Sequence, residues 1–438
     1  MLLKPQIKDI KIVTYYLGKI IIGLSLLLAL PLILGVYNGE INPAFDFAIS
    51  MLVGLIIGLI LVSLCKTTED LNWMHGMSLV ALAWLVAMFL GAIPLFLSGH
   101  WKSYLDACFD AMSGFATTGL VLVQDLDHLS LSCNLWRHLM MFIGGQGIVI
   151  VALSFFVRGL SGAFKIYVGE GREERVLPNV VHTAHFIWLV SIVYLILGSL
   201  ALAFVAQAEG ISKGTSFFHG LCIFMAAFDT GGFAPQSQNI LYYHSFPFEL
   251  VTILLMLFGA INFKLHYSLW TGNKKEIFKN IETVTLFISI MVLFFFTAVG
   301  LNRTGIYPEA FILFRKGFYQ LISAHTGTGY MTIYAKHFIH QWSGLAFMAV
   351  IIAMSLGGST CSTTGGIKLL RLDIFFNTLV SEIKRIMLPE SSVSVQKFHH
   401  IKEMVLEDKQ VRMSLLIFLM YLGMYIVGAI IGCVYGYS

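Results

Sequence analysis

Charged residues are scarce in this chain. Asp, Glu, Lys and Arg together make up 12% of its 438 residues, about half the share of an ordinary soluble domain. The hydrophobic content is 57% and the mean hydropathy is +0.81. A soluble all-α protein of this length would have to bury every long apolar stretch in one core. The composition therefore indicates a polytopic α-helical membrane protein.

Cysteine is also scarce, and signatures of catalysis are missing. The six cysteines are scattered and show neither metal-ligand spacing nor a disulfide framework. The stretch GGQG at 144–147 lacks the strand and the spacing of a nucleotide-binding fingerprint. The sequence predicts no enzyme, no resident cofactor and no nucleic-acid partner. The remaining enzymatic alternative is an intramembrane enzyme that uses the scattered histidines His182, His185, His219 and His266.

Several apolar runs approach or exceed the roughly 20 residues that a helix needs to cross a bilayer. The predicted spans lie near residues 12–36, 47–65, 74–98, 133–157, 183–207, 246–270, 282–301, 341–356 and 411–436. No cleavable signal is predicted, because the first run is too long for a signal-peptide core and lacks a small-residue cleavage site.

Lys and Arg are concentrated in alternate connections between these spans. They cluster at the N-terminus and in the segments 158–181, 271–281 and 368–412. Because basic loops stay in the cytoplasm, the N-terminus is predicted to be cytoplasmic. The connections 99–132, 208–245 and 302–340 are then predicted to face outward. Arg137 and Arg158 are expected to be anchors at the membrane interface.

A short apolar helix-like piece followed by a Gly/Thr phrase recurs in each outward connection. The three stretches read YLDACFDAMSGFATTGLVL (104–122), FFHGLCIFMAAFDTGGFAP (217–235) and AFILFRKGFYQLISAHTGTGY (310–330). One such phrase alone would indicate only a helix C-cap. Three phrases at matching positions favour an ion-selectivity filter.

The chemistry of these phrases suits a dehydrated cation. Irregular backbone at membrane depth is tolerated only inside protein or along a water-filled cavity. Glycine accepts the positive φ values that let successive carbonyls point the same way, and such carbonyls replace the hydration shell of K⁺. The short helices would also direct their partly negative C-terminal ends at the cavity.

With these phrases the chain resembles the TrkH/KtrB superfamily of bacterial potassium-uptake proteins, which is related to fungal Trk and plant HKT proteins. The matching stretches are SGFATTGL (113–120), DTGGFAP (229–235), FGAINFKLHY (258–267), HTGTGY (325–330) and GGSTCSTTGGIKLLR (357–371). The family builds a single pore from four non-identical M1–P–M2 repeats, in which a pore helix and its loop (P) lie between two spans. TrkH-type members carry two additional N-terminal helices.

The resemblance implies an all-α fold of K⁺-channel-like hairpins with the following division. Residues 1–72 form two N-terminal helices, and repeats 1, 2 and 3 occupy residues 73–181, 182–280 and 281–380. Residues 381–438 form a cytoplasmic segment and a fourth M1-like helix. Neither a fourth pore helix nor a fourth M2 is recognisable, so the fourth repeat is expected to be incomplete and the filter strands to number three.

The resemblance also assigns residues to the filter and to a gate. The K⁺ filter comprises Thr117, Thr118, Gly119, Thr230, Gly231, Gly232, Gly327, Thr328 and Gly329. Relatives that prefer Na⁺ often have serine at the first filter glycine, so Gly119 favours K⁺.

The stretch SLGGSTCSTTGGIK at 355–368 interrupts the third M2, because its Gly, Ser and Thr content cannot continue as a stable helix. In the family this position is an intramembrane loop under the filter that gates permeation. The gate residues are Gly357, Gly358, Ser359, Thr360, Cys361, Ser362, Thr363, Thr364, Gly365, Gly366 and Lys368. A flexible, hydroxyl-rich break before Lys368 and Arg371 would obstruct a cation path. The alternative is a tolerated helix kink.

The resemblance implies potassium uptake across the bacterial inner membrane by a homodimer. K⁺ is the transported ion, and a cytoplasmic ring of nucleotide-sensing TrkA/KtrA-like subunits is the expected partner. The basic segment 381–410 fits either that partner or anionic lipid. Channel-like flux and symport with H⁺ or Na⁺ both stay open. The alternative function is a secondary transporter of an organic solute or a Na⁺-coupled cation, whose helix breaks are expected in inverted pairs.

Five polar residues near the filter allow two interpretations each. Asp106 and Asp110 lie on one helix face and either hold the helix or attract cations. Asp229 adds negative field or braces its loop. His325 tunes flux with pH or makes a structural hydrogen bond. Lys264 is predicted to lie deep in a span, where an ionisable group is usually functional or paired.

Overall fold

The computed structural model describes residues 6–69, 71–147, 180–387 and 396–436. Within these ranges nearly all regular structure is helical, as the composition predicts. The chain divides into two compact units. The first comprises Met1–Gly259 and Thr328–Ala335, and the second comprises Ala260–Gly327 and Lys336–Ser438.

The first four helices are α1 (Ile7–Leu27), α2 (Ala29–Tyr37), α3 (Ile41–Leu64) and α4 (Trp73–Leu97). Helices α1 and α3 approach closely because glycines face each other. A Cβ on Gly18 would lie 3.1 Å from the carbonyl oxygen of Gly58, and a Cβ on Gly58 would lie 3.0 Å from that of Gly18. Small residues of this kind allow apolar helices to pack when no hydrophobic effect drives them together.

The helices that follow in the first unit are α5 (Tyr104–Phe115), α6 (Leu131–Gln146), α7 (Val180–Ala208), α8 (Lys213–Phe228) and α9 (Phe246–Ala260), with a short 3₁₀ helix at Asn239–Tyr243. Serine side chains start three of them. Ser103, Ser130 and Ser212 each accept a hydrogen bond from a backbone N–H in the first turn of α5, α6 and α8. These N-caps satisfy donors that a helix start leaves unpaired.

The remaining helices are α10 (Phe263–Trp270), α11 (Glu276–Lys279), α12 (Ile281–Thr304), α13 (Ala310–His325), α14 (Ala335–Gln341), α15 (Gly344–Leu356), α16 (Leu369–Met387) and α17 (Asp408–Val434). Between α16 and α17 lies an antiparallel hairpin that the sequence does not predict. It consists of β1 (Lys397–His400) and β2 (Lys402–Val405), with Lys397 opposite Val405 and His400 opposite Lys402.

Most predicted spans are confirmed as long apolar helices. Six reach spanning length within the described residues: α1 with α2, then α3, α4, α7, α12 and α17. The predicted span 246–270 is instead a bent pair, α9 and α10. The predicted span 341–356 corresponds to the shorter apolar helix α15, which begins at Gly344 and has 13 residues. Of the predicted span 133–157, only the part up to residue 147 lies in the described residues.

The order of the elements repeats along the chain. A long helix, a short helix that ends at a Gly/Thr phrase and a further helix follow one another in α4–α5–α6, in α7–α8–α9 and in α12–α13–α15. The three short helices that the sequence predicts are thereby confirmed. The exact repeat boundaries stay a prediction.

Candidate ion-conducting site

Each Gly/Thr phrase begins where a short helix ends, and backbone hydrogen bonds fix it there. Thr117 and Thr118 donate to carbonyls in the last turn of α5 at 3.0 and 2.8 Å. Thr230 and Gly231 make the equivalent bonds to the end of α8 at 3.2 and 2.9 Å. Gly327 donates to the last turn of α13 at 3.0 Å. The same local geometry therefore occurs three times.

Backbone conformation alternates within each phrase. In each phrase the first and third residues have positive φ and the middle residue does not. The φ values are 51° and 81° in the first phrase (Thr117 and Gly119) and 53° and 77° in the second (Thr230 and Gly232). In the third phrase they are 77° and 80° (Gly327 and Gly329). A threonine in this region is strained by roughly 1–3 kcal/mol and persists only where the surroundings impose it. Such strain is concentrated at functional sites.

The three phrases meet through their backbones inside the first unit. A Cβ on Gly119 would lie 2.2 Å from the carbonyl oxygen of Gly231, and one on Gly232 would lie 1.9 Å from that of Thr328. A Cβ on Gly329 meets no atom within 4 Å. The first phrase therefore contacts the second, and the second contacts the third. Of the nine predicted filter residues, eight belong to this unit and Gly327 belongs to the other.

Tyr330 ties the third phrase to the second. Its side chain is fully buried, at 0% exposure. The hydroxyl donates to the carbonyl of Phe233 at 2.9 Å and lies 3.3 Å from that of Ile223. One aromatic side chain thus contacts both the chain after the second phrase and the helix before it.

The stretch GGQG at 144–147 lets α6 pack directly behind two of the phrases. A Cβ on Gly144 would lie 1.7 Å from the carbonyl oxygen of Phe115, and one on Gly145 would lie 2.4 Å from Cβ of Asp229. Gln146 donates its side-chain N–H to Asp229 at 2.8 Å. Of the two interpretations of Asp229, these contacts favour the brace.

The expectation that Arg137 is an interfacial anchor is wrong. Arg137 is completely buried, and its guanidinium carbon lies 4.3 Å from the ring centroid of Phe233. It also donates to Asn134 at 3.2 Å, and the buried carboxylate of Asp110 acts on it electrostatically. Its place inside the apolar run 131–146 is the sequence signal that indicates burial. The second expected anchor, Arg158, lies outside the described residues.

The other polar residues have mainly structural contacts. Asp110 is buried and accepts the N–H of Leu122 at 2.6 Å, so it holds the chain after the first phrase. His325 is buried and lies 2.8 Å from the Ser289 hydroxyl. Lys264 is half-buried in the first turn of α10, directly after the break that follows α9. The structure thus places Lys264 at a break in the predicted span 246–270 and not inside one continuous helix.

Two carboxylates lie on the connection between α5 and α6. Asp127 accepts the N–H and the hydroxyl of Ser237 at 2.8 and 2.5 Å, which joins the connections after the first and second phrases. A hydrogen bond from His128, 2.9 Å away, lowers the pKa of Asp125 below its usual value. Asp125 is therefore ionised at neutral pH.

The predicted helix break after α15 is confirmed as a folded loop in the second unit. Gly357 and Gly366 have φ values of +72° and +79°. A Cβ on Gly357 would lie 2.1 Å from the carbonyl oxygen of Gly365, so the two ends of the loop lie against each other. Only glycine fits at position 357. A simple kink in a continuous helix would not bring the two ends of the loop this close, so the structure favours a folded loop.

Hydrogen bonds hold the interior of this loop. The N–H of Gly358 donates to the Thr364 hydroxyl at 2.9 Å, and that hydroxyl lies 2.8 Å from the Ser362 hydroxyl. Lys368 donates to the carbonyl of Thr364. Most side chains between 357 and 364 are buried. The loop is thus folded more tightly than the flexible connection that the sequence suggests.

Outside contacts fix the loop as well. The N–H of Ser359 donates to the carbonyl of Ala260 at 2.9 Å, and the carbonyl of Cys361 accepts the N–H of Phe263 at 3.2 Å. The N–H of Thr360 donates to Glu282 at 2.6 Å. The loop is therefore attached both to the break between α9 and α10 and to the first turn of α12.

Replacing Arg137 with alanine is expected to destabilise the protein by about 2–5 kcal/mol, because it removes a completely buried side chain that packs on the ring of Phe233 and leaves a cavity. Thermal unfolding of the purified protein measures the effect. The control is Arg385→Ala, whose side chain is 77% exposed and whose ion pair contributes about 0–1 kcal/mol. Equal melting temperatures for Arg137→Ala and the unchanged protein would contradict the buried packing of Arg137 on Phe233.

The sequence is similar to those of known cation transport proteins. A model of the TrkH family, described as cation transport proteins, matches residues 44–314. An uncharacterized cation transporter of Methanocaldococcus jannaschii is 32% identical over 436 residues, which cover 98% of this chain and 85% of that protein. The Trk system potassium uptake protein TrkH of Escherichia coli is 25% identical over 337 residues, which cover 76% of this chain and 67% of that protein.

A solved structure shares the fold. The crystal structure of the potassium transporter TrkH from Vibrio parahaemolyticus matches with a TM-score of 0.75 at 22% identity, over 90% of this chain and 80% of the other. The predicted resemblance and the all-α polytopic fold are confirmed. The family model covers more than half of the chain, and the archaeal relative matches nearly all of it. The chain belongs to the TrkH family of cation transport proteins.

Proposed function

We propose that this protein takes up potassium ions across the cytoplasmic membrane through a filter of backbone carbonyls. The observation that carries the proposal is the direct contact of three phrases with alternating backbone conformation, at Gly119 with Gly231 and at Gly232 with Thr328. The potassium uptake named for the Escherichia coli relative supports the choice of ion. The proposed filter residues are Thr117, Thr118, Gly119, Thr230, Gly231, Gly232, Gly327, Thr328 and Gly329.

The filter would act by replacing water around the ion. Alternating φ values turn successive carbonyls toward one side, where they take the place of the hydration shell of K⁺. Selectivity over Na⁺ then depends on the spacing of the carbonyls and on the number of their dipoles. The C-terminal ends of α5 and α8 add partial negative charge, and the ionised Asp125 raises the local cation concentration before entry.

The folded loop 355–368 is the proposed gate. Its tight hydrogen bonding gives one defined closed arrangement, and Lys368 adds a positive charge to it. Opening would require the Thr364 contacts with Gly358 and Lys368 to break together. A loop held by a small set of hydrogen bonds could switch between two discrete arrangements.

The setting of the pore is proposed from the resemblance. The N-terminus would be cytoplasmic, the pore would be built from the repeats 73–181, 182–280 and 281–380, and the protein would form a homodimer in the inner membrane. A TrkA/KtrA-like nucleotide-binding subunit would bind on the cytoplasmic side, where the basic segment 381–410 is a candidate contact.

Growth of a potassium-uptake-deficient bacterial strain tests the function. Expression of this protein is expected to restore growth at limiting K⁺, with Arg385→Ala as an active surface variant. The rival function, transport of an organic solute, predicts uptake of an amino acid and no rescue at low K⁺. Unchanged growth despite confirmed membrane expression would contradict the proposal.

A further inference from the structure

Two adjacent histidines of the hairpin 397–405 contact the helices α11 and α12 in the second unit. His399 lies 2.9 Å from the carboxylate of Glu276. His400 lies 3.7 Å from Oε2 of Glu282, which is ion-pair distance when the imidazole is protonated. Glu282 is 0% exposed and His400 is 3% exposed. The hairpin is therefore docked through a buried contact rather than a surface one.

The other oxygen of Glu282 contacts the proposed gate loop. Oε1 accepts the backbone N–H of Thr360 at 2.6 Å. A buried carboxylate is costly unless hydrogen bonds and opposite charge compensate it, and hydrogen bonds to an ionised acceptor are about twice as strong as neutral ones. One carboxylate thus faces the hairpin with one oxygen and the loop with the other.

The next turn of α12 contacts the helix that follows the loop. The hydroxyl of Thr285, one turn after Glu282, donates to the carboxylate of Asp373 on α16 at 2.5 Å. The side chain of Asn280 accepts the N–H of Glu282 at 3.0 Å and fixes the start of α12. The first two turns of α12 therefore hold both the middle of the loop and the helix beyond it.

We propose that Glu282 is a positioning residue for the loop 355–368 and that the hairpin 397–405 controls it through His400. Displacement of the hairpin withdraws His400 from the carboxylate. Water then competes for Glu282, and its hold on Thr360 weakens. A cytoplasmic event that moves the hairpin is in this way transmitted to the loop. The inference rests on the proposed function only in the statement that the loop gates flux.

Cys361 provides a reporter of the loop that is independent of flux. It is adjacent to Thr360 and buried, at 7% exposure. In a background with the other five cysteines replaced by serine, the rate of modification of Cys361 by a charged methanethiosulfonate reagent measures opening of the loop. Rubidium flux is measured on the same preparations. Monodisperse elution in detergent verifies folding of each variant.

Glu282→Ala is expected to raise the Cys361 modification rate by about tenfold, as the loss of one charge-assisted hydrogen bond implies. Glu282→Gln keeps an acceptor for Thr360 and is expected to give a smaller rise. His400→Leu leaves the loop residues unchanged. As a single substitution it is expected to raise the modification rate of Cys361. Combined with Glu282→Ala, it is expected to give the same rate as Glu282→Ala alone. The control Glu382→Ala removes an exposed carboxylate and is expected to leave the rate unchanged.

The outcomes separate the coupling from the gate. An unchanged Cys361 rate in well-folded Glu282→Ala and His400→Leu overturns the coupling. Additive effects of the two substitutions also overturn it, because residues that act through one contact are not additive. A raised rate with unchanged rubidium flux supports the coupling and overturns the assignment of the loop as the gate. A raised rate with raised flux supports both.

Discussion

Gly119→Ala and Gly232→Ala are each expected to abolish potassium-selective uptake. A Cβ at these positions would lie 2.2 Å from the carbonyl of Gly231 and 1.9 Å from that of Thr328, well below contact distance, and the φ values of +81° and +77° add strain. The displaced groups are the proposed ligands themselves. A loss of 1.4 kcal/mol in differential ion binding already lowers selectivity about tenfold. The uptake of rubidium in the presence of competing Na⁺ measures the selectivity of each variant.

Two glycines serve as matched controls for this prediction. Gly327 has the same left-handed conformation, but its counterparts in the other phrases are Thr117 and Thr230, so Gly327→Thr is expected to retain selective uptake. Gly214 lies in α8 with open space at its Cβ, so Gly214→Ala is expected to be neutral. Gly329→Ser is expected to be intermediate, because its φ of +80° is unfavourable but its Cβ meets no atom. Selective uptake by Gly119→Ala and Gly232→Ala would refute the filter assignment.

Deletion of residues 359–364 is expected to give constitutive flux. The flanking glycines can be joined with little rearrangement, since the Cβ position of Gly357 lies 2.1 Å from the carbonyl of Gly365. The ends are also tied by the bonds of Lys368 to Leu356 and of Leu369 to Gly358, both 3.1 Å. The deletion thus removes the obstruction and keeps the junction of α15 and α16. Flux into vesicles, with and without the cytoplasmic regulator, measures the effect.

Gly365→Ala is the control for the deletion. Gly365 is exposed, its φ is not positive, and its Cβ would meet no atom within 4 Å. Flux of this variant is expected to respond to the regulator as in the unchanged protein. If the deletion variant folds and its flux still responds to the regulator, the loop is not the gate.

Local features of the site could be predicted from the sequence. A short apolar helix followed by Thr and Gly indicates both a helix end and a left-handed backbone, so α5, α8 and α13 and their phrases were predictable. The break at 357–366 was predictable for the same reason, since its glycines and hydroxyl residues disfavour a helix. In these cases the signal lies within a few neighbouring residues.

Contacts between distant segments were not predictable. The burial of Arg137 depends on Phe233 from another hairpin, and a single basic residue in an apolar run is compatible with an interface as well as with a core. The break between α9 and α10 contains no proline that would mark it in the sequence. At this break the carbonyl of Ala260 accepts the backbone N–H of Ser359, which lies far away in the chain. The link from His400 through Glu282 to Thr360 joins residues that are far apart in the chain, and no local pattern marks it.

The selectivity of rubidium uptake tests the central claim most directly. Vesicles that contain the protein are loaded with K⁺, and uptake of external ⁸⁶Rb⁺ is measured against equal concentrations of competing K⁺ or Na⁺. A filter of backbone carbonyls predicts rapid uptake that K⁺ suppresses and Na⁺ does not. Suppression by Na⁺ to the same extent as by K⁺ would contradict the assignment of the three Gly/Thr phrases as a potassium filter.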